Sequence, residues 1–216
     1  MNINVFEDQH LKYFLYLEKE VMSTFEYSTL DIMNKNNFSF KYINLLQAIC
    51  SEFEVVAKAY CELLNEPDAD SILKYGKVII GEHPEITTKN VRCYENSNLI
   101  YVPFQDWVIP TAGNKSEKPP KWWTIYNKIK HNRLALNNDG EYKGIENYKL
   151  ANQDNVMNAL AGLYLLEMYF FKDLTLKSPN VASDIYIPTG QYVSNLFDLP
   201  NWSSTISIGP LIINNI

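Results

Sequence analysis

PPKWWTIYNKIKHNRLAL, residues 119–136, is the stretch on which the reading of this chain turns. Two prolines end whatever precedes it, and a proline in the first turn of a helix costs little because that N–H has no partner anyway. At about 100° per residue, Trp122, Ile125, Tyr126, Ile129 and Leu136 fall on one face, the core-facing stripe of an amphipathic helix. Arg133 falls in the middle of that stripe. His131 falls roughly 160° away, near Asn127 and Thr124, and Lys130 lies between them beside Trp123. In one straight helix the histidine and the arginine do not converge. Either the helix distorts near His131, or the two residues serve different jobs, or a second subunit completes the site.

Outward from this helix, the flanking segments read as a bundle. Asp8 is the expected N-cap of a first helix running to about Tyr27, and His10 in its first turn has no assigned role. Ser39 caps a second helix from Phe40 to about Leu64, whose stripe is Tyr42, Leu45, Leu46, Ile49, Phe53, Val56, Tyr60 and Leu63. Glu52 and Glu54 flank that stripe on opposite sides, and Asn65-Glu66-Pro67-Asp68 ends the helix. After the stop at residues 137–140, Asn152 caps a fourth helix with Asp154 in its first turn. Its segment VMNALAGLYLLEMYFF (156–171) is apolar nearly all round, which marks a helix buried on every side. At sixteen residues, with Asn158 and Glu167 inside, it falls short of the roughly 20 needed to span a bilayer, so no membrane span is expected.

Between the second helix and the proline pair the character changes. KVII (77–80), VRCY (91–94) and NLIYVPF (98–104) are short and β-branched or aromatic, with a hairpin loop at 95–98. His83, next to Pro84, reads as a loop residue. The tail from residue 178 carries strand-like pieces at 184–187, 191–194 and 210–213, expected to wrap the bundle or to pair with the insertion strands. The expected fold is mainly α, an up-and-down helical bundle in a single domain over 1–216. Its helical core covers 8–64 and 119–173, a small β-containing insertion covers 71–118, and an irregular C-terminal extension covers 178–216.

Hydrophobic residues make up 46% of the chain and charged residues 20%, which suits a well-packed soluble protein. A net charge of -6 argues against a broad electrostatic grip on nucleic acid but leaves room for a local basic cleft made by Lys121, Lys128, Lys130 and Arg133. Three cysteines cannot all pair, and Cys50 and Cys61 lie too far apart along one helix to bond to each other. Reduced thiols and an N-terminus without a basic or apolar leader predict a cytoplasmic location. Walker, GxGxxG, HExxH, CxxC and GxSxG patterns are missing. His83 and Cys93 are the only possible metal-ligand neighbours in the insertion, and two residues are not a site, so no metal and no cofactor are expected.

A buried guanidinium needs a carboxylate, because leaving it unpaired costs several kcal/mol. Arg133 on a core-facing stripe therefore predicts a charge partner: Glu52 or Glu54 from the second helix, preferred because each sits at a stripe edge, or Glu167 from the fourth; the alternative is that Arg133 sits past the helix end, exposed and without need of one. The plain reading of such a pair is a bundle-locking contact without catalysis. His131 lies on the polar face. Asn127 one turn back can fix its tautomer, Lys128 and Lys130 can hold a phosphate, and imidazole is the usual acid or base near neutral pH. Such a set suits metal-independent cleavage of RNA, with His131 and Arg133 catalytic and Asn127, Lys130 and Tyr126 binding the substrate.

WWTIYNKIKHNR (122–133), followed by ANQDNVMNALAGLYLLEMYFF (151–171), resembles a set of bacterial proteins, and YINLLQAICSEFEVVAKAY (42–60) resembles the glutamate-bearing helix of the HEPN (higher eukaryotes and prokaryotes nucleotide-binding) superfamily. The resemblance covers the second to fourth helices. It implies a dimerising helical bundle and, as in several members, a metal-independent ribonuclease in a toxin–antitoxin or anti-phage defence system, with RNA and a conflict-system protein as partners and a homodimer formed through the site-helix region. The family motif is an arginine, four to six residues, then a histidine. Only His131 matches it residue by residue; Arg133 follows the histidine instead of preceding it. The alternative reading is a non-catalytic helical protein-interaction module.

Overall fold

Short polar side chains start the helices that build the core. Asn2 Oδ1 accepts from the Val5 N–H at 3.0 Å, Ser39 Oγ from Tyr42 at 3.1 Å and Asn152 Oδ1 from Asn155 at 3.0 Å, each satisfying an N–H that has no carbonyl one turn back. The computed structural model describes residues 1–138, 140–177, 194–200 and 202. Its helices are α1 (Ile3–Phe6), α2 (Lys12–Met22), α3 (Phe40–Leu63), α4 (Ile72–Glu82), α5 (Lys121–Asn132) and α6 (Gln153–Leu176), and its strands are β1 (Val91–Cys93), β2 (Ile100–Tyr101) and β3 (Phe197–Asp198). The fold is mainly α with a small three-stranded sheet, as the sequence predicts.

Along α6 nearly every side chain is buried, and its longest contact is with α3; α1, α2 and α5 pack around the same rod. No described helix is long and apolar enough to cross a membrane. α3 stops where Asn65 takes a left-handed conformation (φ 66°) and the Glu66 N–H reaches back to the Cys61 carbonyl at 2.9 Å, with Pro67 next in line. Between α3, α5 and the preceding loop sits an aromatic cluster of Phe53, Phe104, Trp107, Trp122 and Trp123, with the Trp122 indole N–H donating to the Pro103 carbonyl at 2.9 Å.

Two expected elements differ. The first helical run begins at Ile3 and not at Asp8, which sits inside a π-helical turn (Glu7–Leu11) between α1 and α2 and pairs with Lys12. The extra residue of that turn places both His10 and Leu11 in the interior. KVII is helical, within α4, although its β-branched residues favour a strand locally. Tyr75, Gly76, Ile79 and Ile80 are buried at helical spacing and pack on α3, and that tertiary contact overrides local preference. Gly76 is needed there: a Cβ would lie 2.5 Å from Trp107 Nε1.

The hairpin of β1 and β2 forms as predicted, and β3 pairs antiparallel with the other edge of β1, so the tail does join the insertion strands. The junction is tied by an Arg92–Asp198 ion pair and by Glu18 of α2. The Glu18 carboxylate, fully buried, accepts from the Ser194 hydroxyl, the Asn195 backbone and side-chain N–H groups and the Leu196 N–H. The strands proposed at 184–187 and 210–213, and 191–193 of the one proposed at 191–194, lie outside the described residues.

Candidate functional site

α5 buries Trp122, Trp123, Ile125, Tyr126 and Ile129 as its sequence stripe requires. The helix stops at Asn132, one residue short of Arg133, because an asparagine pair takes over its last carbonyls. Asn147 Nδ2 donates to the carbonyls of Asn132 (2.7 Å) and Lys128 (3.3 Å), and the Tyr148 N–H takes that of Arg133 at 3.0 Å. Asn137, buried beside it, donates to Asn147 Oδ1 at 3.0 Å and accepts from Lys128 Nζ at 2.6 Å. Arg133, the cap residue, still has right-handed helical angles (φ -56°, ψ -34°), and the chain leaves the helix beyond it.

This termination moves Arg133 off the core stripe. Arg133, His131 and Lys130 are exposed, and no described carboxylate pairs with any of them. Lys130 Nζ lies 5.4 Å from the centre of the buried Tyr126 ring, a cation–π contact, while Asn127 is half-buried. Leu136, expected on the stripe, is exposed, as is Leu134. The expected guanidinium–carboxylate lock between Arg133 and Glu52, Glu54 or Glu167 is not formed. Glu54 is half-buried, and the other two glutamates belong to a different cluster.

That cluster lies in the core where the π turn meets α3 and α6. His10 Nδ1 is 3.2 Å from Glu52 Oε1, both residues being buried against Phe6 and Phe170. Glu167 is 0% exposed, and neither of its oxygens has a hydrogen-bond partner among the described residues; His10 Nε2 is likewise unpartnered. Burial first, and then the nearby Glu52 carboxylate, push the Glu167 carboxyl well above the ordinary range.

A second buried constellation gathers at the other end of α6. His83, the residue that ends α4, is buried, not looped out, and its Nε2 lies 2.8 Å from Asp173 Oδ2. The Tyr60 hydroxyl donates to the same oxygen at 2.6 Å. Glu85 accepts from the Tyr169 hydroxyl at 3.0 Å and lies 3.7 Å from His83 Nδ1. Burial opposes ionisation of Asp173, yet the hydrogen bonds from His83 and Tyr60, with the positive charge of Lys172, outweigh it and hold the carboxyl below its usual range. Tyr60, buried and facing that carboxylate, is pushed far above the ordinary phenol range. The three cysteines are buried free thiols, and burial raises all three.

Sequence reading missed this second constellation because its members are 90 and 113 residues apart, and no local spacing announces such a meeting. The only signal was a histidine between a helix end and a proline, which is also what a turn looks like. No family model, curated protein or solved structure matches the chain.

Proposed function

We propose that this chain is an HEPN-like RNA-binding protein of a bacterial conflict system, with the C-terminal end of α5 as its contact surface and a second copy completing it. The supporting observation is the asparagine cap. Because Asn147 takes the carbonyls of Lys128 and Asn132, the side chains of Lys130, His131 and Arg133 are not drawn into capping there and stand in solvent without a carboxylate partner among the described residues. On a chain of net charge -6 such a cluster confines phosphate contact to one place. Leu134 and Leu136 form an exposed apolar rim beside it, suited to burial against the same rim of another copy. Arg133 and Lys130 hold phosphate, Asn127 and Tyr126 support them from the helix, and His131 is the acid or base of any metal-independent cleavage of the 2′-OH type.

Fluorescence anisotropy with a labelled single-stranded RNA, over a range of salt, tests the binding. Lys130→Ala with Arg133→Ala should weaken it about tenfold and flatten its salt dependence. Wild-type protein that fails to bind RNA at low salt would sink the proposal. Cleavage is read separately, in chelator, and should disappear in His131→Ala.

One observation favours a second reading, the protein-interaction module. Tyr27, Met33 and Phe40 are 89%, 86% and 78% exposed at the corner between α2 and α3, around a groove of about 720 Å³ lined by Thr24, Phe38, Lys41 and Tyr42 among others. Concentration-dependent association that is lost in Met33→Asp/Phe40→Asp but kept in Leu134→Asp would favour this corner over the α5 end.

A further inference from the structure

We propose that Glu82, His83 and Asp173 form a binding site for one first-row divalent cation of the Zn²⁺ or Mn²⁺ class, separate from the α5 surface. One ligand atom from each residue, an imidazole nitrogen and two carboxylate oxygens, lies within 4.8 Å of the other two. Metal–ligand bonds of about 2.0–2.2 Å place neighbouring donors roughly 3–3.5 Å apart, so the set closes with a modest swing of a side chain. Glu82 is the exposed member and is free to make that swing.

The other two donors are already fixed. His83 ends α4, and its ring lies between those of Tyr60 (6.4 Å between centres) and Tyr169 (4.7 Å). Asp173 is held by the Tyr60 hydroxyl at 2.6 Å, and Glu85 stands 3.7 Å from His83 Nδ1. When the cation takes the Nε2 lone pair it displaces the proton that Nε2 shares with Asp173. The neutral imidazole then carries its proton on Nδ1, facing Glu85, which is the arrangement in which a carboxylate orients a ligating histidine from behind. Carboxylates of Glu82, Glu85 and Asp173 thus all lie close to the one imidazole.

The donor set selects the ion. Mg²⁺ and Ca²⁺ favour all-oxygen shells, whereas an imidazole with carboxylates suits Zn²⁺, Mn²⁺ or Co²⁺. Three protein donors leave at least one position for water, as in sites that activate it.

The test uses the full chain after dialysis against chelator. Isothermal titration with ZnCl₂, MnCl₂ and MgCl₂ should give one site per chain for the first two, together with a rise in melting temperature, and no saturable site for Mg²⁺. Glu82→Gln should leave the metal-free melting temperature unchanged and weaken metal binding at least about tenfold, and Tyr60→Phe should weaken it by about 10–100-fold through the loss of the donor behind Asp173. Co²⁺ bound to the wild type should show visible ligand-field bands that change in Glu82→Gln. Wild-type protein without a stoichiometric site, or a site equally tight in Glu82→Gln and Asp173→Asn, overturns the assignment.

Discussion

Replacing Glu167 by glutamine tests the account of the core most sharply. The carboxyl is fully buried on α6, without a hydrogen-bond partner among the described residues, and faces the Glu52 charge. In the folded chain burial raises its pKa well above the ordinary value near 4.5 that it has in the unfolded chain. Because the folded-state pKa is the raised one, the stability this group contributes is fully present below the unfolded value and is lost as pH rises from there toward the folded one. Between the two values the slope is about 1.4 kcal/mol per pH unit. Glutamine has the same size and never ionises. Glu167→Gln should therefore match the wild type within about 0.5 kcal/mol at pH 4 and pull ahead of it above pH 5, by about 1.4 kcal/mol for each pH unit up to the folded pKa. Urea denaturation at fixed ionic strength from pH 4 to pH 8 reads both curves. Parallel curves would mean that Glu167 is ionised or hydrated in the fold, and the reasoning would fail.

Other substitutions probe other joints. Glu18→Gln removes the charge that accepts from Ser194, Asn195 and Leu196 and should cost about 2 kcal/mol in chemical denaturation, with faster amide exchange in β3. Asn147→Ala strips the two donors from the end of α5 and should cost about 1–2 kcal/mol by the same measurement. Gly76→Ala pushes a methyl group against the Trp107 indole and should cost about 1–3 kcal/mol, visible also as a change in tryptophan fluorescence. Arg133→Ala, by contrast, should leave the melting curve almost unmoved, within about 0.5 kcal/mol, because the side chain is exposed and unpaired; a larger loss would restore the buried ion pair.

α3 and α6 were legible because periodicity and cap agree: Ser39 and Asn152 stand directly before long apolar stripes, and both helices start there. The hairpin at residues 91–101 was legible for a similar reason, short β-branched runs around a polar turn. α4 was not, since Val78, Ile79 and Ile80 together look like a strand until the contact with α3 is known. The fate of Arg133 stayed open between a buried pair and an exposed position past the helix end. Whether it faces the core depends on where α5 stops, and that is decided by Asn147, a residue beyond the helix. His10 and Glu52 meet across 42 residues and His83 and Asp173 across 90, distances over which only the assembled helices bring side chains together. The histidine that stood out in the sequence is the exposed one, and the two passed over are buried beside carboxylates.

The seam at Glu18 has a consequence for biosynthesis. Its partners lie 176 to 178 positions downstream, so a ribosome releases α1 to α6 before the groups that complete this contact emerge. A nascent chain can gather its helices while one acid in α2 and one edge of β1 still wait for residues 194–198. Vectorial synthesis thus leaves closure of the sheet until after α6 has emerged, and a translation product stalled before residue 194 would carry an open flank that chaperones and proteases can recognise.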